Sequence, residues 1–227
     1  MKIAMWSGPR NLSTALMYAF GNRADCAAID EPFYAAYLAA SGADHPMRDM
    51  VLASQSQNPA DVIAHLTGPN PGNAPLWYQK HMTHHMGGIS LDWLDRVTNV
   101  FLIRHPARVI ASYVNKRENP TLDDLGFAQQ VAIFDHCRAL GQTPIVVDSD
   151  DILANPSAVM AAQCDALGIR FDPAMLHWPA GPRPYDGVWA THWYDAVHQS
   201  TGLTPQLRVM PVVGAGGQDI LSRALPF

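Results

Sequence analysis

Residues 1–23 of the chain read MKIAMWSGPRNLSTALMYAFGNR, and this stretch decides the fold. Residues 2–7 are mostly apolar, which predicts a short buried strand. Gly8 and Pro9 then indicate a turn, and apolar residues recur at helical spacing over residues 15–20. A strand, a tight loop and a helix in this order can hold an anion, because the first amides of a helix have no partner within it.

The loop carries the groups that bind a phosphate. Arg10 supplies a fixed cation, and Ser13 and Thr14 supply hydroxyl donors. The pattern differs from the nucleotide-triphosphate loop G-x-x-x-x-G-K-[ST], because the second glycine and the lysine are missing. A plain strand–turn–helix, with Asn11 or Ser13 as the N-cap, is the alternative. The candidate phosphate-binding positions are Gly8, Pro9, Arg10, Asn11, Leu12, Ser13 and Thr14.

Composition limits the classes of protein. The chain has 227 residues, 48% hydrophobic and 15% charged, which is typical of one globular domain. A formal net charge of -5 argues against non-specific nucleic-acid binding. The 3 cysteines form no CxxC pair, so we expect neither a disulfide framework nor a zinc ribbon. With no signal peptide and no apolar run long enough for a membrane span, we expect a cytoplasmic protein.

Short apolar strands alternate with helices along residues 1–171. This order predicts an α/β fold with three layers, a parallel sheet flanked by helices. Residues 172–227 are proline- and aromatic-rich, and we expect an irregular segment plus one helix that covers the site within a single domain. We further expect a strand over residues 76–80, helices over residues 108–116 and 122–140, and a flexible loop at Gly214–Gly217.

The carboxyl ends of parallel strands form one edge of a sheet, where ligands bind. Five groups of polar residues follow predicted strands and should meet at this edge, namely Ser7–Ser13, Asp30–Glu31, Lys80–His81, Arg104 and Asp148. Arg104 leaves the strongest strand, and Ser112 lies eight positions later in the next helix. Together they can hold a second phosphate. The alternative is that Arg104 caps a carboxylate and Ser112 lies on the helix surface.

Both elements resemble motifs of the sulfotransferases that use 3′-phosphoadenosine 5′-phosphosulfate. Their first motif, P-K-S-G-T-T, is similar to Pro9–Thr14, and their second motif is similar to Arg104 with Ser112. The chain resembles a bacterial branch of sulfotransferase-like proteins more closely. The segments that carry this resemblance are Ser7–Thr14, Asp30–Tyr34, and Asp186–Ala190 with Trp193-Tyr194. Arg10 replaces the lysine of the first motif and Leu12 its glycine. The basic C-terminal motif of the cytosolic enzymes is missing.

The resemblance implies a P-loop nucleotide-binding architecture of the sulfotransferase type. In it the loop holds the 5′-phosphosulfate, and Arg104 and Ser112 hold the 3′-phosphate. It implies transfer of the sulfuryl group to a hydroxyl or amine of a small-molecule acceptor, with Arg10 stabilising the developing charge. Glu31 is the general base that we favour, because Pro32 biases it towards an extended conformation that projects its carboxylate. Lys80 and His81 are further catalytic candidates, because cytosolic sulfotransferases place a histidine shortly after a lysine on the corresponding strand.

Several alternatives stay open. The base can instead come from the histidines at 81, 84 and 85, which would share one helical face; we expect no metal there, because no carboxylate or paired cysteine lies at ligand spacing. A nucleotide-dependent kinase or NTPase, with Asp148 holding magnesium, is the first rival function. A nucleotide-binding module without catalysis is the second. As a binding partner we expect a small-molecule acceptor, and neither nucleic acid nor a membrane. The sequence leaves open whether the chain forms a homodimer.

Overall fold

The computed structural model describes residues 1–114, 121–206 and 209–227. A parallel five-stranded sheet forms its centre, in the order β2-β3-β1-β4-β5. The strands are β1 Lys2–Ser7, β2 Cys26–Asp30, β3 Leu76–Met82, β4 Thr98–Ile103 and β5 Ile145–Asp148. This arrangement confirms the predicted α/β class, with β1 at the middle of the sheet.

Helices lie on both faces of the sheet. They are α1 Ser13–Gly21, α2 Tyr34–Ser41, α3 Arg48–Ser54, α4 Pro59–Thr67, α5 Pro106–Tyr113, α6 Leu122–Leu125, α7 Phe127–Ala139, α8 Ser149–Ala154, α9 Pro156–Ala166, α10 Ala190–Trp193, α11 Asp195–His198 and α12 Ala215–Ala224. Short 3₁₀ turns occur at Pro71–Asn73, Thr83–Met86, Asp92–Arg96 and Pro173–Leu176.

The alternation of side chains along β1 explains the three layers. Ile3 and Met5 point into one apolar cluster, which includes residues of α1, α2 and α9. Ala4 and Trp6 point into the other, which includes residues of α4 and α7. Because both faces of the strand are buried, β1 appears in the sequence as a continuous apolar run.

Two predicted elements are wrong. The expected helix over residues 122–140 is two helices, because Gly126 adopts a φ of 70° that ends α6, and its carbonyl accepts a hydrogen bond from the Thr83 hydroxyl at 2.9 Å. The expected loop at Gly214–Gly217 is the start of α12, since Ile220, Leu221 and Ala224 pack against the cluster around α5. That burial outweighs the low helix propensity of glycine.

Other boundaries differ by a few residues. β3 continues to Met82, so His81 belongs to the strand. α5 already begins at Pro106, and its predicted end at Lys116 lies outside the described residues. No helix within residues 1–114, 121–206 and 209–227 is long and apolar enough to cross a membrane.

Candidate active site

A cavity of about 580 Å³ opens at the carboxyl edge of the sheet. Its walls come from the loop after β1, the ends of β2, β3 and β4, and the C-terminal segment over residues 189–206. The polar and charged lining groups used below are Arg10, Ser13, Thr14, Glu31, Lys80, His85, Arg104, Ser112 and Tyr194. The volume lies in the usual range for a small-molecule or nucleotide site.

The loop between β1 and α1 has an unusual backbone. Arg10 and Leu12 both adopt left-handed conformations, with φ values of 59° and 63°. Asn11 braces the loop from below: its amide donates to the Leu102 carbonyl at 2.6 Å, and its side-chain oxygen accepts from the Ser149 hydroxyl at 2.5 Å. The sequence predicts that Asn11 binds phosphate, but its side chain forms hydrogen bonds that hold the loop in place.

The loop leads directly into the N-terminus of α1. Leu12 is the N-cap residue, and no side chain caps the helix, so the alternative in which Asn11 or Ser13 is the N-cap is wrong. The first amides of α1 are therefore available to an anion, since they have no partner within the helix. Ser13 and Thr14 line the cavity at this point. Gly8 instead lies against the Leu125 carbonyl, where a Cβ would collide, so it permits a close approach of α6.

The two predicted phosphate-binding elements meet in the structure. The Arg10 Nε donates to the Ser112 Oγ at 3.0 Å, and the Arg104 Nη1 donates to the Arg10 carbonyl at 2.8 Å. Ser112 accepts a bond from the loop, so the alternative of a plain helix-surface residue is wrong, and Arg104 binds the loop backbone. Arg10, Arg104 and Ser112 all line the cavity.

A buried cluster of charges lies at the ends of β2 and β3. Lys80 is 1% exposed, and its ammonium donates to Asp30 at 2.9 Å, to Glu31 at 2.5 Å and to the Tyr194 hydroxyl at 2.7 Å. Tyr194 donates in turn to Asp30 at 2.7 Å. Its hydroxyl also accepts from the Trp189 indole nitrogen at 3.2 Å. Sheet and C-terminal segment are thus joined by one hydrogen-bonded network.

Burial and charge set the protonation states in this cluster. Burial raises the pKa of Glu31, although the Lys80 ammonium acts in the opposite direction. Burial alone would lower the pKa of Lys80, but Asp30 and Glu31 outweigh it and raise that pKa. Burial also raises the pKa of Tyr194 well above its usual range, so its hydroxyl stays protonated. Two carboxylates share one ammonium, which leaves one negative charge uncompensated when both are ionised.

The backbone conformation of Glu31 differs from the extended one that the sequence predicts. Its φ is 37°, in the left-handed region, whereas Pro32 favours an extended conformation. The Glu31 amide donates to the Lys80 carbonyl at 3.0 Å, and its own carbonyl accepts from Tyr34 at 3.0 Å, so the chain turns at once from β2 towards α2. Such a conformation costs about 1–3 kcal/mol and persists only where its surroundings hold it, commonly at functional sites.

The predicted histidines do not share one face. His81 points to the opposite side of the sheet, where its ring stacks on Trp6 at 4.3 Å, and burial lowers its pKa to about 3. It does not line the cavity. His85 does line it, stacked on Tyr34 at 4.6 Å, and burial lowers its pKa well below the usual range. No group of three possible metal ligands occurs within the described part of the chain.

Sequence reasoning did not identify two important groups. Asp30 was expected only to lie at the sheet edge, and Tyr194 was noted only as part of a motif; both bind Lys80. The pairing of Asp30 with a residue 164 positions away has no local signal. The one available signal was the run from Asp186 to Tyr194, in which Gly187 also donates its amide to Asp30 at 3.1 Å.

The fold and the site together define a class of protein. A parallel α/β sheet with a cavity at the carboxyl ends of its strands, lined by Arg10 after the first strand and Arg104 after the fourth, is typical of α/β proteins that bind anionic ligands. The chain belongs to the sulfotransferase domain family, whose model matches residues 1–227. This membership implies a transferase.

Two solved structures share the fold of this chain. The sulfotransferase domain of the Synechococcus PCC 7002 olefin synthase superposes with a TM-score of 0.60 at 19% identity, over 98% of this chain and 94% of that one. The sulfotransferase domain from the curacin biosynthetic pathway superposes with a TM-score of 0.54 at 18% identity, over 97% of this chain and 96% of that one. Both confirm the fold.

Two Arabidopsis thaliana proteins are closer in sequence. Branched-chain-amino-acid aminotransferase-like proteins 1 and 2 are 36% and 33% identical over 226 residues, which is 99% of this chain. The chain spans 40% of the length of each of these relatives. The similarity therefore concerns one part of each plant protein.

Proposed function

We propose that this chain transfers a sulfuryl group from 3′-phosphoadenosine 5′-phosphosulfate to a hydroxyl or amine of a small molecule. One observation carries the proposal: two anion-binding elements and a buried carboxylate–ammonium pair open onto the same cavity. The donor has two separate anionic ends, and the chain offers the α1 N-terminus for one and the Arg104–Ser112 region for the other. The cavity volume of about 580 Å³ accommodates a nucleotide.

When bound, the donor supplies an activated sulfuryl group. The chain's contribution is to bind its anionic ends through the amides of residues 10–14, the hydroxyls of Ser13, Thr14 and Ser112, and the guanidinium groups of Arg10 and Arg104. These groups are fixed by the protein's own hydrogen bonds, so they need little reorganisation to stabilise negative charge.

Glu31 is the general base that the geometry favours. Its carboxylate lies on the cavity wall, and among the described lining residues it is the only acidic one. Accepting a proton from the acceptor removes the uncompensated negative charge of the cluster, and the raised pKa of Glu31 favours that step. Lys80 orients the carboxylate, and Asp30 and Tyr194 orient Lys80.

His85 is the competing base. It lines the cavity, burial keeps its ring neutral, and its Nδ1 has no hydrogen-bond partner among the described residues. Replacing each residue in turn separates the two. If Glu31→Gln remains active while His85→Gln does not, the base is the histidine.

The rival functions receive less support. Asp148, which a kinase or NTPase would use for magnesium, caps α8 by accepting from the Asp150 amide at 2.7 Å. The loop also lacks the lysine that reaches the β- and γ-phosphates. A binding module without catalysis has no need for Glu31 in a left-handed conformation at the cavity.

A thermal-shift comparison tests the proposed donor. Adenosine 3′,5′-bisphosphate at about 100 times its dissociation constant should stabilise the protein by roughly 2.7 kcal/mol, which raises Tm by about 5–10 °C. ATP with magnesium should do much less. Stabilisation by ATP and not by the bisphosphate would favour the kinase or NTPase instead.

A further inference from the structure

We propose that Arg10 belongs to the second anion site, where it binds the 3′-phosphate monoester together with Arg104 and Ser112. It thereby takes the place of the basic C-terminal motif of the cytosolic enzymes, which residues 1–227 do not contain. The inference rests on the proposed function and changes one part of it: the sequence motif suggests that Arg10 acts at the transferring group, whereas its contacts direct it elsewhere.

The contacts of Arg10 fix its direction. Its Nε donates to Ser112, 102 positions away in the last turn of α5, at 3.0 Å. Its carbonyl accepts from Arg104 at 2.8 Å. Arg10 is therefore held at both ends by the two residues assigned to the second phosphate. No hydrogen bond within the described residues joins its guanidinium to Ser13 or Thr14.

The charge of Arg10 has no counterpart in the described residues. No carboxylate of residues 1–114, 121–206 or 209–227 forms a salt bridge with it. Its guanidinium is partly buried, and this burial lowers the pKa of Arg10 while Tyr113 acts in the opposite direction. A half-buried cation without an anion is destabilising, and a bound anion relieves that cost.

The chemistry of an arginine at this place fits a phosphate monoester. A guanidinium has five N–H donors in a planar fork, and the bond to Ser112 uses only one of them. The remaining fork can bind two phosphate oxygens, which a lysine cannot do in the same way. Two-point binding of a phosphate thus explains why arginine stands where the first motif has lysine.

Another cation, Lys80, also lines the cavity. Lys80 is held beside Glu31 at 2.5 Å, in the network that includes the proposed base. Arg10 takes no part in that network, since none of its hydrogen bonds within the described residues reaches Asp30, Glu31 or Tyr194. The two cations therefore belong to separate hydrogen-bonded groups.

Isothermal calorimetry on the full chain tests this assignment with adenosine 3′,5′-bisphosphate and 5′-AMP as probes. Arg10→Ala should weaken the bisphosphate by roughly 10–150-fold, the value of a charged hydrogen bond worth about 1.5–3 kcal/mol, and leave 5′-AMP nearly unchanged. Ser13→Ala is the matched control at the α1 N-terminus, and it should weaken both ligands by the same factor. Ser112→Ala should reproduce the selective loss and be non-additive with Arg10→Ala.

The outcomes separate the two levels of the account. An equal loss for both ligands in Arg10→Ala places Arg10 at the 5′ end and overturns the inference, while the proposed function stands. A wild-type protein that binds neither ligand overturns both. Arg10→Lys retains the charge without the planar fork of donors, and full bisphosphate affinity in that variant also contradicts the assignment. This variant replaces Arg10→Ala in the test if Arg10→Ala does not fold.

Discussion

Lys80→Met removes the ammonium that holds the ends of β2 and β3 together. Methionine keeps an unbranched stem of similar size, so the change is mainly electrostatic. Asp30 and Glu31, which are 3% and 9% exposed, then face each other without a counter-charge. Removing one partner of a buried ion pair costs about 3–5 kcal/mol, so we expect a loss of this size in the free energy of unfolding at neutral pH.

The loss should depend on pH in a defined direction. Burial already raises the pKa of Glu31, and without the opposing Lys80 ammonium that folded-state pKa rises further above the unfolded value of about 4.3. Such a group contributes stability below its unfolded pKa, and that stability is lost as the pH rises through the folded pKa. The deficit relative to wild type is therefore smaller near about pH 4 than at neutral pH.

Urea unfolding at several pH values measures this difference. Lys2→Met, at the partly exposed start of β1, is the control and should change stability by less than about 0.5 kcal/mol. The double variant Lys80→Met with Glu31→Gln should recover part of the loss, because it removes one of the two carboxylates. A deficit below about 1 kcal/mol, or one that does not vary with pH, would refute the electrostatic account of this cluster.

Three further predictions follow from the site. Glu31→Gln should reduce kcat by about 100-fold or more at unchanged bisphosphate affinity, and activity that survives the substitution contradicts the role of Glu31 as the base. In the wild type, kcat/KM should fall with decreasing pH as Glu31 becomes protonated, with a pKa above 4.5. Tyr194→Phe should move that acid limb to higher pH, because hydrogen bonding by Tyr194 lowers the pKa of Glu31, whereas Tyr185→Phe in the same segment should not move it. Leu12→Gly should be more stable to urea than Leu12→Ala by about 1 kcal/mol, since glycine accepts the φ of 63° and alanine does not; the opposite order would show that this backbone is unstrained.

Much of the sheet was predictable because its three central strands, β1, β3 and β4, are buried on both faces. The extent of β1 matches the apolar run that predicts it, and a parallel sheet brings the carboxyl ends of its strands to one edge. That rule alone placed Glu31, Lys80 and Arg104 at one cavity. It could not place His81, because the side on which a strand residue points depends on where the strand ends, and β3 is two residues longer than predicted.

The details that matter for chemistry depend on contacts between distant residues. The conformation of Glu31 opposes the local preference set by Pro32, because the ladder to β3 and the turn into α2 decide it. The direction of Arg10 depends on Ser112, and the state of Lys80 depends on Tyr194. The split of the expected helix at Gly126 depends on the Thr83 hydroxyl as well as on glycine itself. None of these contacts has a signal within a short sequence window.

The central claim is that this chain moves a sulfuryl group, and one measurement tests it directly. The wild-type protein and Glu31→Gln are incubated with sulfur-labelled 3′-phosphoadenosine 5′-phosphosulfate and a mixture of small hydroxyl and amine acceptors, and labelled products are separated by chromatography. We expect label in at least one product with the wild type, and formation slower by about 100-fold with the variant. Binding of adenosine 3′,5′-bisphosphate without any transfer of label would contradict the claim and leave a nucleotide-binding module.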